Sequence, residues 1–178
     1  PLIVYHHPQV DSVTYVDKSR GITVSKDYPV LTDDELDRLQ DAFLLAARRA
    51  CKLGFDFIDI KQCHTYLLNE LLGARIRGGK YGGSFENRTR FVRDVLARIR
   101  DELGNKVMMA SRFNAFDGVP FRKDPVTGKG EPIPFETPYP YSFGVDQQNP
   151  LNEDLAEPLK LVRLLREHGV VMVNVSMG

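Results

Sequence analysis

The residues best suited to chemistry lie in one short segment of the chain, Lys61-Gln62-Cys63-His64-Thr65-Tyr66. Lys61, His64 and Tyr66 carry side chains that donate hydrogen bonds and can take part in proton transfer. The segment follows the apolar run 57–60, so it is predicted to leave the end of a β-strand. Three such residues can form a cluster of proton donors. They can also be a surface lysine, a surface histidine and a core tyrosine, so residue types alone leave both interpretations open.

Polar residues also follow two later apolar runs. Arg112 and Asn114 lie at or just beyond the end of the run that begins at Val107, and Asn174 and Ser176 lie at the end of the run that begins at Val171. The carboxyl ends of parallel strands carry the functional residues in barrels and in doubly wound sheets alike. These positions therefore predict a site at one edge of a sheet without choosing between the two architectures.

Three amphipathic helices are predicted to position these strands. Thr32-Asp33-Asp34-Glu35 has the pattern of a capping box, and the first helix is expected to end at Gly54. Ser84 is the expected cap of the second helix, which ends near Gly104, and the third ends at His168-Gly169. A strand-like run follows each helix, and this alternation predicts an α/β fold with a parallel sheet.

Two stretches carry little helical signal. Residues 1–30 are predicted to form a long loop, although Leu2–Tyr5 is compatible with a short strand. Residues 114–152 hold seven of the 11 prolines, and a loop of this length in a compact domain is usually functional or disordered.

Composition excludes several classes of protein. Lys+Arg and Asp+Glu both number 24, so the net charge of zero gives no support to a nucleic-acid partner. No apolar run approaches the ~18 residues of a membrane span. Cys51 and Cys63 are too few for a disulfide framework, which favours a reduced, cytoplasmic setting. His6-His7 lacks further ligands at suitable spacing, so no metal site is expected.

The chain begins at Pro1 without Met and stops after an apolar run, so both ends are expected to be cut.

Two stretches identify a resemblance to a known family. Residues 54–67 carry Gly-Phe-Asp before the strand and His64-x-Tyr66-Leu67 after it. Residues 81–91 read Tyr-Gly-Gly-Ser-x-Glu-Asn-Arg-x-Arg-Phe. Both closely resemble the Old Yellow Enzyme family of FMN-dependent oxidoreductases, which includes ene-reductases, 2,4-dienoyl-CoA reductases and trimethylamine dehydrogenases. The glycine-rich stretch 78–84 lacks the spacing of a phosphate-binding loop. The resemblance implies a structural turn in this stretch.

The resemblance implies a (β/α)8 TIM barrel, of which this chain would supply strands four to six as one partial domain, residues 1–178. Residues 1–31 would be the loop after strand three, and residues 32–112 would hold a helix, strand four, a helix and strand five. Residues 113–152 would form a long active-site loop, and residues 153–178 a helix and strand six. A complete barrel needs about 200 residues or more, so 178 residues would cover only its middle portion.

The resemblance also implies roles for single residues. In the family, two residues three positions apart at the strand-four turn hydrogen-bond the substrate carbonyl oxygen, and a tyrosine two positions later donates a proton. Lys61, His64 and Tyr66 occupy these positions. Arg112 matches an arginine at the end of strand five, which stabilises the anionic reduced flavin.

Lys61 departs from the family pattern, which usually has a histidine at this position. An ammonium group only donates hydrogen bonds, whereas a neutral imidazole both donates and accepts them. Lys61 can stabilise a developing enolate oxygen as a point charge, or it can pair with a carboxylate and leave the oxygen to His64. A non-histidine residue also occurs here in the trimethylamine dehydrogenase branch, so an amine dehydrogenase-type flavoenzyme stays an alternative.

The predicted activity of the parent protein is FMN-dependent oxidoreduction. NADH or NADPH would reduce the flavin, which would pass a hydride to an activated alkene or a related small molecule. A barrel lyase or aldolase with Lys61 as the Schiff-base former stays open. So does a non-catalytic fragment, because the family's flavin phosphate site comes from strands seven and eight. The exposed strand edges of an unclosed barrel would favour a homo-oligomer.

Overall fold

A computed structural model describes residues 2–11, 16–17 and 19–177 of the chain. In chain order, its strands are β1 (Val16–Asp17), β2 (Ile22–Thr23), β3 (Phe57–Gln62), β4 (Met108–Phe116), β5 (Phe121–Lys123), β6 (Gly130–Pro132) and β7 (Val170–Met177). Its helices are α1 (Asp33–Lys52), α2 (Leu67–Gly73), α3 (Phe85–Arg88), α4 (Arg90–Leu103) and α5 (Ala156–Glu167). Pro1 and Gly178, the ends of the predicted first loop and last strand, lie outside the described residues.

A three-stranded parallel sheet in the order β3-β4-β7 forms the centre of the fold. Helices α1 and α4 lie against each other and, with α5, pack on one face of this sheet. The predicted α/β arrangement of parallel strands separated by helices is therefore confirmed. β1 pairs with β2, and β5 with β6, in two small antiparallel ladders.

The first helix begins where the sequence predicts. The Thr32 side chain accepts a hydrogen bond from the Glu35 backbone amide, and the Glu35 carboxylate accepts one from the Thr32 amide, which completes the capping box. The chain leaves the helix at Gly54, whose φ of +79° is a left-handed conformation that glycine adopts without strain. Leu36, Leu44 and other apolar residues of this helix are buried against the sheet and α4.

The second predicted helix is divided in two. Ser84 caps α3 as expected, but the helix stops at Arg88 and α4 begins at Arg90. The hydroxyl of Thr89 donates to the Phe85 carbonyl at 2.8 Å, and such back-bonding by threonine bends helices. α2 was not predicted, although Leu67, Leu68, Leu71 and Leu72 follow a helical spacing.

Two predictions for the loops need correction. Residues 2–5 form no strand: Ile3 and Val4 are buried in an irregular segment whose Ile3 carbonyl accepts from the Leu31 amide at 2.9 Å. The predicted loop 113–152 starts later, because β4 continues to Phe116. That loop is also not without structure, since it contains the hairpin of β5 and β6 and the buried side chains of Tyr139 and Phe143.

The sheet face opposite the helices is uncovered in the part of the chain that the structure describes. Phe57 and Met108 pair on neighbouring strands and are 46% and 51% exposed, and Met172 on β7 is 49% exposed. Apolar layers of this kind fill the interior of parallel barrels. Among the described helices, none combines the length and the apolar character that a membrane span requires.

An ion-pair cluster built around the buried Arg88 joins α3 to the start of α5. The guanidinium of Arg88 is 1% exposed and donates to the carbonyls of Gly83 and Leu72 and to the Glu157 carboxylate. Glu157 also accepts two hydrogen bonds from Arg75. Because buried guanidinium and carboxylate groups are costly when left unpaired, the two arginines and Glu157 fix α5 relative to the turn before α3.

Substitution of Arg88 tests this connection. Arg88→Met leaves the Gly83 and Leu72 carbonyls without their donor, and we expect the free energy of unfolding to fall by about 3–5 kcal/mol. Urea denaturation measures the change. Arg163→Met, on the exposed side of α5, serves as the control and should change the stability by less than about 0.5 kcal/mol. Equal effects of the two substitutions would contradict the assigned role.

Candidate active site

The carboxyl ends of the parallel strands bring together three polar residues that lie far apart in the sequence. Lys61 on β3 pairs with Arg112 on β4, and Arg112 pairs with Asn174 on β7. Residues in register on neighbouring strands point to the same side of a sheet. All three therefore lie on the uncovered face, at the edge where the sequence predicts a site.

Lys61 and Tyr66 are in direct contact. The Lys61 ammonium nitrogen lies 3.4 Å from the centroid of the Tyr66 ring, which is the geometry of a cation–π interaction. Tyr66 is 61% exposed and is the N-cap residue of α2. The predicted proton donor is thus accessible, and its ring is in contact with a cation.

The turn between Lys61 and Tyr66 has an unusual backbone. His64 and Thr65 have φ angles of +60° and +55°, which non-glycine residues seldom adopt. The Asn69 side chain stabilises the turn by accepting a hydrogen bond from the Thr65 amide at 2.8 Å. Strained backbone of this kind is concentrated at functional sites, because surrounding contacts must hold it in place.

Arg112 is held by a carboxylate on the neighbouring strand. Its Nε donates to Asp59 Oδ2 at 2.8 Å, and its side chain is 39% exposed. Among the described residues, its two terminal nitrogens have no hydrogen-bond partner. Arg112 therefore presents free donors and a positive charge on the uncovered face of the sheet.

His64 borders a different space from Lys61 and Tyr66. It lines a cavity of about 590 Å³ between α2, the N-terminal segment and the loop after β4. The cavity is lined by Tyr5, His7, Val10, His64, Thr65, Asn69, Glu70, Gly73, Asn114, Asp117, Gly118, Val119, Pro120, Phe121, Tyr141, Ser142 and Met177. Lys61, Tyr66 and Arg112 do not line it, so the structure divides the predicted cluster between two neighbouring spaces.

Sequence reasoning missed a hydrogen-bond network behind the turn. Asp117 accepts from the side-chain amides of Asn69 at 2.8 Å and of Asn114 at 2.7 Å. The Ser176 hydroxyl donates to Asn114 Oδ1 at 2.7 Å. Burial raises the pKa of Asp117 to about 6, although both amide hydrogen bonds oppose this shift. The signal in the sequence was the repeated occurrence of polar residues just after apolar runs, which singled out Asn114 and Ser176 but not Asp117.

Cys63, His6 and His7, which the sequence also suggested as possible reactive or metal-binding residues, are packed or paired with neighbouring residues. Cys63 is fully buried. His6 Nδ1 lies 2.8 Å from Asp11 Oδ2, and His7 packs against Tyr141 with ring centroids 5.4 Å apart. Burial lowers the pKa of His7 to about 4. No group of three His, Cys, Asp or Glu side chains suited to a metal ion is present among the described residues.

The motif 81–91 is a structural unit rather than part of the site. The Tyr81 hydroxyl donates to Asp37 on α1, and the Asn87 side chain donates to the Gly82 carbonyl. A Cβ atom at Gly82 would lie 2.2 Å from the Arg77 carbonyl oxygen, so only glycine fits this close approach. These contacts support the structural turn that the resemblance implied.

The chain matches a known protein family over more than half of its length. Residues 5–127 match the model of the NADH:flavin oxidoreductase / NADH oxidase family. The chain is 34% identical over 149 residues to an NADH:flavin oxidoreductase of Gibberella zeae, covering 83% of this chain and 31% of that protein. It is 41% identical over 95 residues to an NADPH dehydrogenase of Clostridium acetobutylicum, covering 52% of this chain and 28% of that protein. The chain thus spans less than a third of the length of either relative.

Two solved structures resemble the fold. An Old Yellow Enzyme homologue from Zymomonas mobilis superposes with a TM-score of 0.57 at 23% identity, over 82% of this chain and 34% of that one. A histamine dehydrogenase from Rhizobium sp. 4-9 gives a TM-score of 0.58 at 21% identity, over 84% of this chain and 18% of that one. Both are TIM-barrel enzymes, and at these identities the likeness concerns the fold.

The raised pKa of Asp117 predicts a specific pH dependence of stability. The folded protein binds this proton more tightly than the unfolded chain, so ionisation of Asp117 destabilises the fold. Between the ordinary value of 3.8 and about 6, the free energy of unfolding should fall with rising pH relative to Asp117→Asn. Above this range the difference between the two proteins should be constant.

Urea denaturation of the wild type and of Asp117→Asn across this pH range measures the difference in their free energies of unfolding. Groups that titrate equally in both proteins do not contribute to this difference. Asp101→Asn, on the exposed surface of α4, is the matched control for the loss of one carboxylate. A difference between wild type and Asp117→Asn that does not change with pH would show that Asp117 titrates normally.

Proposed function

Because the chain belongs to the NADH:flavin oxidoreductase / NADH oxidase family, we propose that it forms part of the active site of an FMN-dependent oxidoreductase that uses NADH or NADPH. The observation that carries this proposal is the grouping of Lys61, Tyr66 and Arg112 at the carboxyl end of one parallel sheet. In barrel enzymes this end of the strands is where catalytic residues lie.

We further propose that β3, β4 and β7 are strands four, five and six of the barrel. The proposed segments are those of the sequence, 1–31, 32–112, 113–152 and 153–178, except that β4 extends to Phe116, so the loop begins after that residue. The uncovered apolar face of the sheet supports this assignment, because the remaining strands would cover it. The outer edges of β3 and β7 are unpaired within the described sheet, which is also compatible with self-association of the chain.

The residues on the uncovered face fit one edge of a flavin. Arg112 offers a fixed cation with free donors, and an arginine beside the flavin ring favours its negatively charged reduced form. Bound FMN would supply hydride transfer between NAD(P)H and the small-molecule substrate. Asp59 orients Arg112 through the hydrogen bond to Nε, which leaves the two terminal nitrogens free to face the cofactor.

Tyr66, Lys61 and His64 are proposed to act on the substrate. Tyr66 donates a proton to the carbon that does not receive the hydride. The Lys61 ammonium lies over the Tyr66 ring, where it can donate to a developing enolate oxygen and hold the tyrosine in place. For His64 to donate a second hydrogen bond to that oxygen, its side chain would have to turn from the neighbouring cavity toward Lys61 when the substrate binds.

The contact between Lys61 and Tyr66 bears on the lyase alternative. A Schiff base requires the neutral amine of the lysine, whereas a cation–π contact favours the charged ammonium. This geometry gives a Schiff-base role no support, and we favour electrostatic assistance by Lys61.

Flavin binding tests the proposed function. The full-length protein that contains this chain should take up FMN stoichiometrically and show the visible absorption of a bound flavin, which NADH or NADPH bleaches. The 178-residue chain alone should bind FMN weakly or not at all, because it offers only one wall of the proposed site. A full-length protein that stays colourless after incubation with FMN would contradict the proposal.

The role of Tyr66 is tested in the two half-reactions of the full-length protein. Tyr66→Phe keeps the ring under Lys61 and removes the hydroxyl, so reoxidation of the flavin by an activated alkene should slow by about 100- to 10,000-fold. Flavin reduction by NAD(P)H, which needs no proton from Tyr66, is the internal control and should keep its rate. Stopped-flow absorbance measures both, and equal slowing of the two half-reactions would argue against a proton-donor role.

A further inference from the structure

Two side-chain amides behind the strained turn after β3 have a fixed orientation. The Asn69 side-chain oxygen accepts from the Thr65 amide at 2.8 Å, and the Asn114 side-chain oxygen accepts from the Ser176 hydroxyl at 2.7 Å. The NH2 groups of both asparagines therefore point away from these donors, and both donate to Asp117. Because Asn69 and Asn114 are buried, turning either amide around would leave polar groups without partners.

This orientation favours an ionised carboxylate at Asp117. Its Oδ2 accepts from Asn69 at 2.8 Å and its Oδ1 accepts from Asn114 at 2.7 Å. A carboxylate accepts at both oxygens, whereas a protonated carboxyl group would direct an O–H at one of the two NH2 groups. The Asp117 amide donates to the carbonyl of the buried Phe143 at 3.0 Å, which fixes the backbone of Asp117 to the core. The ionised form therefore links the two asparagines to the core more firmly than the neutral acid.

The link from Asp117 reaches the proposed proton donor through the turn. Asn69 holds the Thr65 amide, and the next residue is Tyr66, whose own amide donates to the Cys63 carbonyl at 3.4 Å. The two residues before Tyr66 have left-handed φ angles, which surrounding contacts must maintain. A misplacement of about 1 Å in a reacting group can slow catalysis by about 100-fold. The position of the Tyr66 hydroxyl therefore depends on how firmly Asn69 is anchored.

We propose that Asp117 is a positioning residue of the proposed reaction, whose ionised carboxylate acts through Asn69 to hold Tyr66 in place for proton transfer. This inference rests on the proposed function, because it concerns the proton that Tyr66 donates. Burial raises the pKa of Asp117 to about 6, while the two amide hydrogen bonds favour the carboxylate and oppose this shift. Reoxidation of the flavin by an activated alkene should therefore slow as the pH falls through about 6.

Other titratable groups share the cavity with Asp117. They are Glu70 of α2, His64 of the turn, Tyr5 and His7 of the N-terminal segment, and Tyr141 of the loop after β4. Within the described part of the chain, no lysine or arginine lines this cavity. All of these groups are retained in an Asp117 variant, so the ratio of wild-type to variant rates at each pH isolates the contribution of Asp117.

Stopped-flow absorbance of the two half-reactions in the full-length protein with FMN tests the proposal. Asp117→Asn replaces one acceptor oxygen with an NH2 group, and it should slow reoxidation by an activated alkene at least about tenfold near pH 8. Flavin reduction by saturating NAD(P)H should keep its rate. The ratio of wild-type to variant reoxidation rates should fall as the pH is lowered through about 6. Asp101→Asn, the same charge change on exposed α4, should leave both half-reactions unchanged.

Equal slowing of both half-reactions, or a ratio that does not change with pH, would make Asp117 a merely structural residue and overturn the proposal. A protein that binds no FMN would instead contradict the proposed function. Normal flavin binding and normal reoxidation in Asp117→Asn would contradict this inference alone.

Two further variants test the route through Asn69 and Tyr66. Asn69→Ala should slow reoxidation and remove its pH dependence near 6, and adding Asp117→Asn should cause no further slowing. In Tyr66→Phe, where the proton donor is absent, Asp117→Asn should also have no effect. Additive effects in either pair would overturn the route. Circular dichroism checks folding, and if Asp117→Asn does not fold, the pH profile of Asn69→Ala decides.

Discussion

A chain of hydrogen bonds that joins the ends of the three parallel strands is the constraint on which the rest of the site depends. After β3, the Asn69 side chain accepts a hydrogen bond from the Thr65 amide. Directly after β4, the Asp117 carboxylate accepts hydrogen bonds from the side-chain amides of Asn69 and Asn114. The Ser176 hydroxyl on β7 donates a hydrogen bond to the Asn114 side chain on β4. Together with the hydrogen bond from the Tyr66 amide to the Cys63 carbonyl, these bonds hold the left-handed turn at His64 and Thr65. That turn connects the end of β3 to Tyr66 and so determines the position of Tyr66. The network therefore also supports the contact between Tyr66 and Lys61. The same network encloses the neighbouring cavity.

The residues that identify the family and the residues proposed to do its chemistry occupy different parts of the fold. The string at 81–91 folds into a capped turn in which Gly82 passes close to the backbone of Arg77 and Arg88 is buried. Its long and specific sequence reflects several backbone constraints that must be met together. The proposed site, in contrast, has few residues, and one of them, Lys61, departs from the family. A sequence can therefore belong plainly to a family while single positions, such as Lys61, distinguish its proposed site from the family pattern.

Capping and glycine patterns in the sequence predicted where helices begin and end. They did not predict features that depend on side-chain contacts or on the backbone conformation of a turn. The capping box at Thr32 and the glycine at 54 located α1, because both act within one turn of the helix. The break at Thr89 was missed, since the apolar spacing continues through it and only the side-chain bond to Phe85 reveals it. The grouping of Lys61 with Arg112 was predictable from strand ends. The division of His64 from Lys61 and Tyr66 was not, because it depends on a backbone conformation that residue types do not encode.

In the proposed arrangement, the strand ends of this chain form one wall of a flavin site, with Arg112 against the cofactor. A crystal structure of the full-length protein with FMN tests this arrangement. We expect a terminal nitrogen of Arg112 at hydrogen-bond distance, about 3 Å, from the pyrimidine edge of the flavin, with Lys61 and Tyr66 facing the substrate space beside it. A flavin bound away from the uncovered face, with Arg112 still paired only to Asp59, would contradict it.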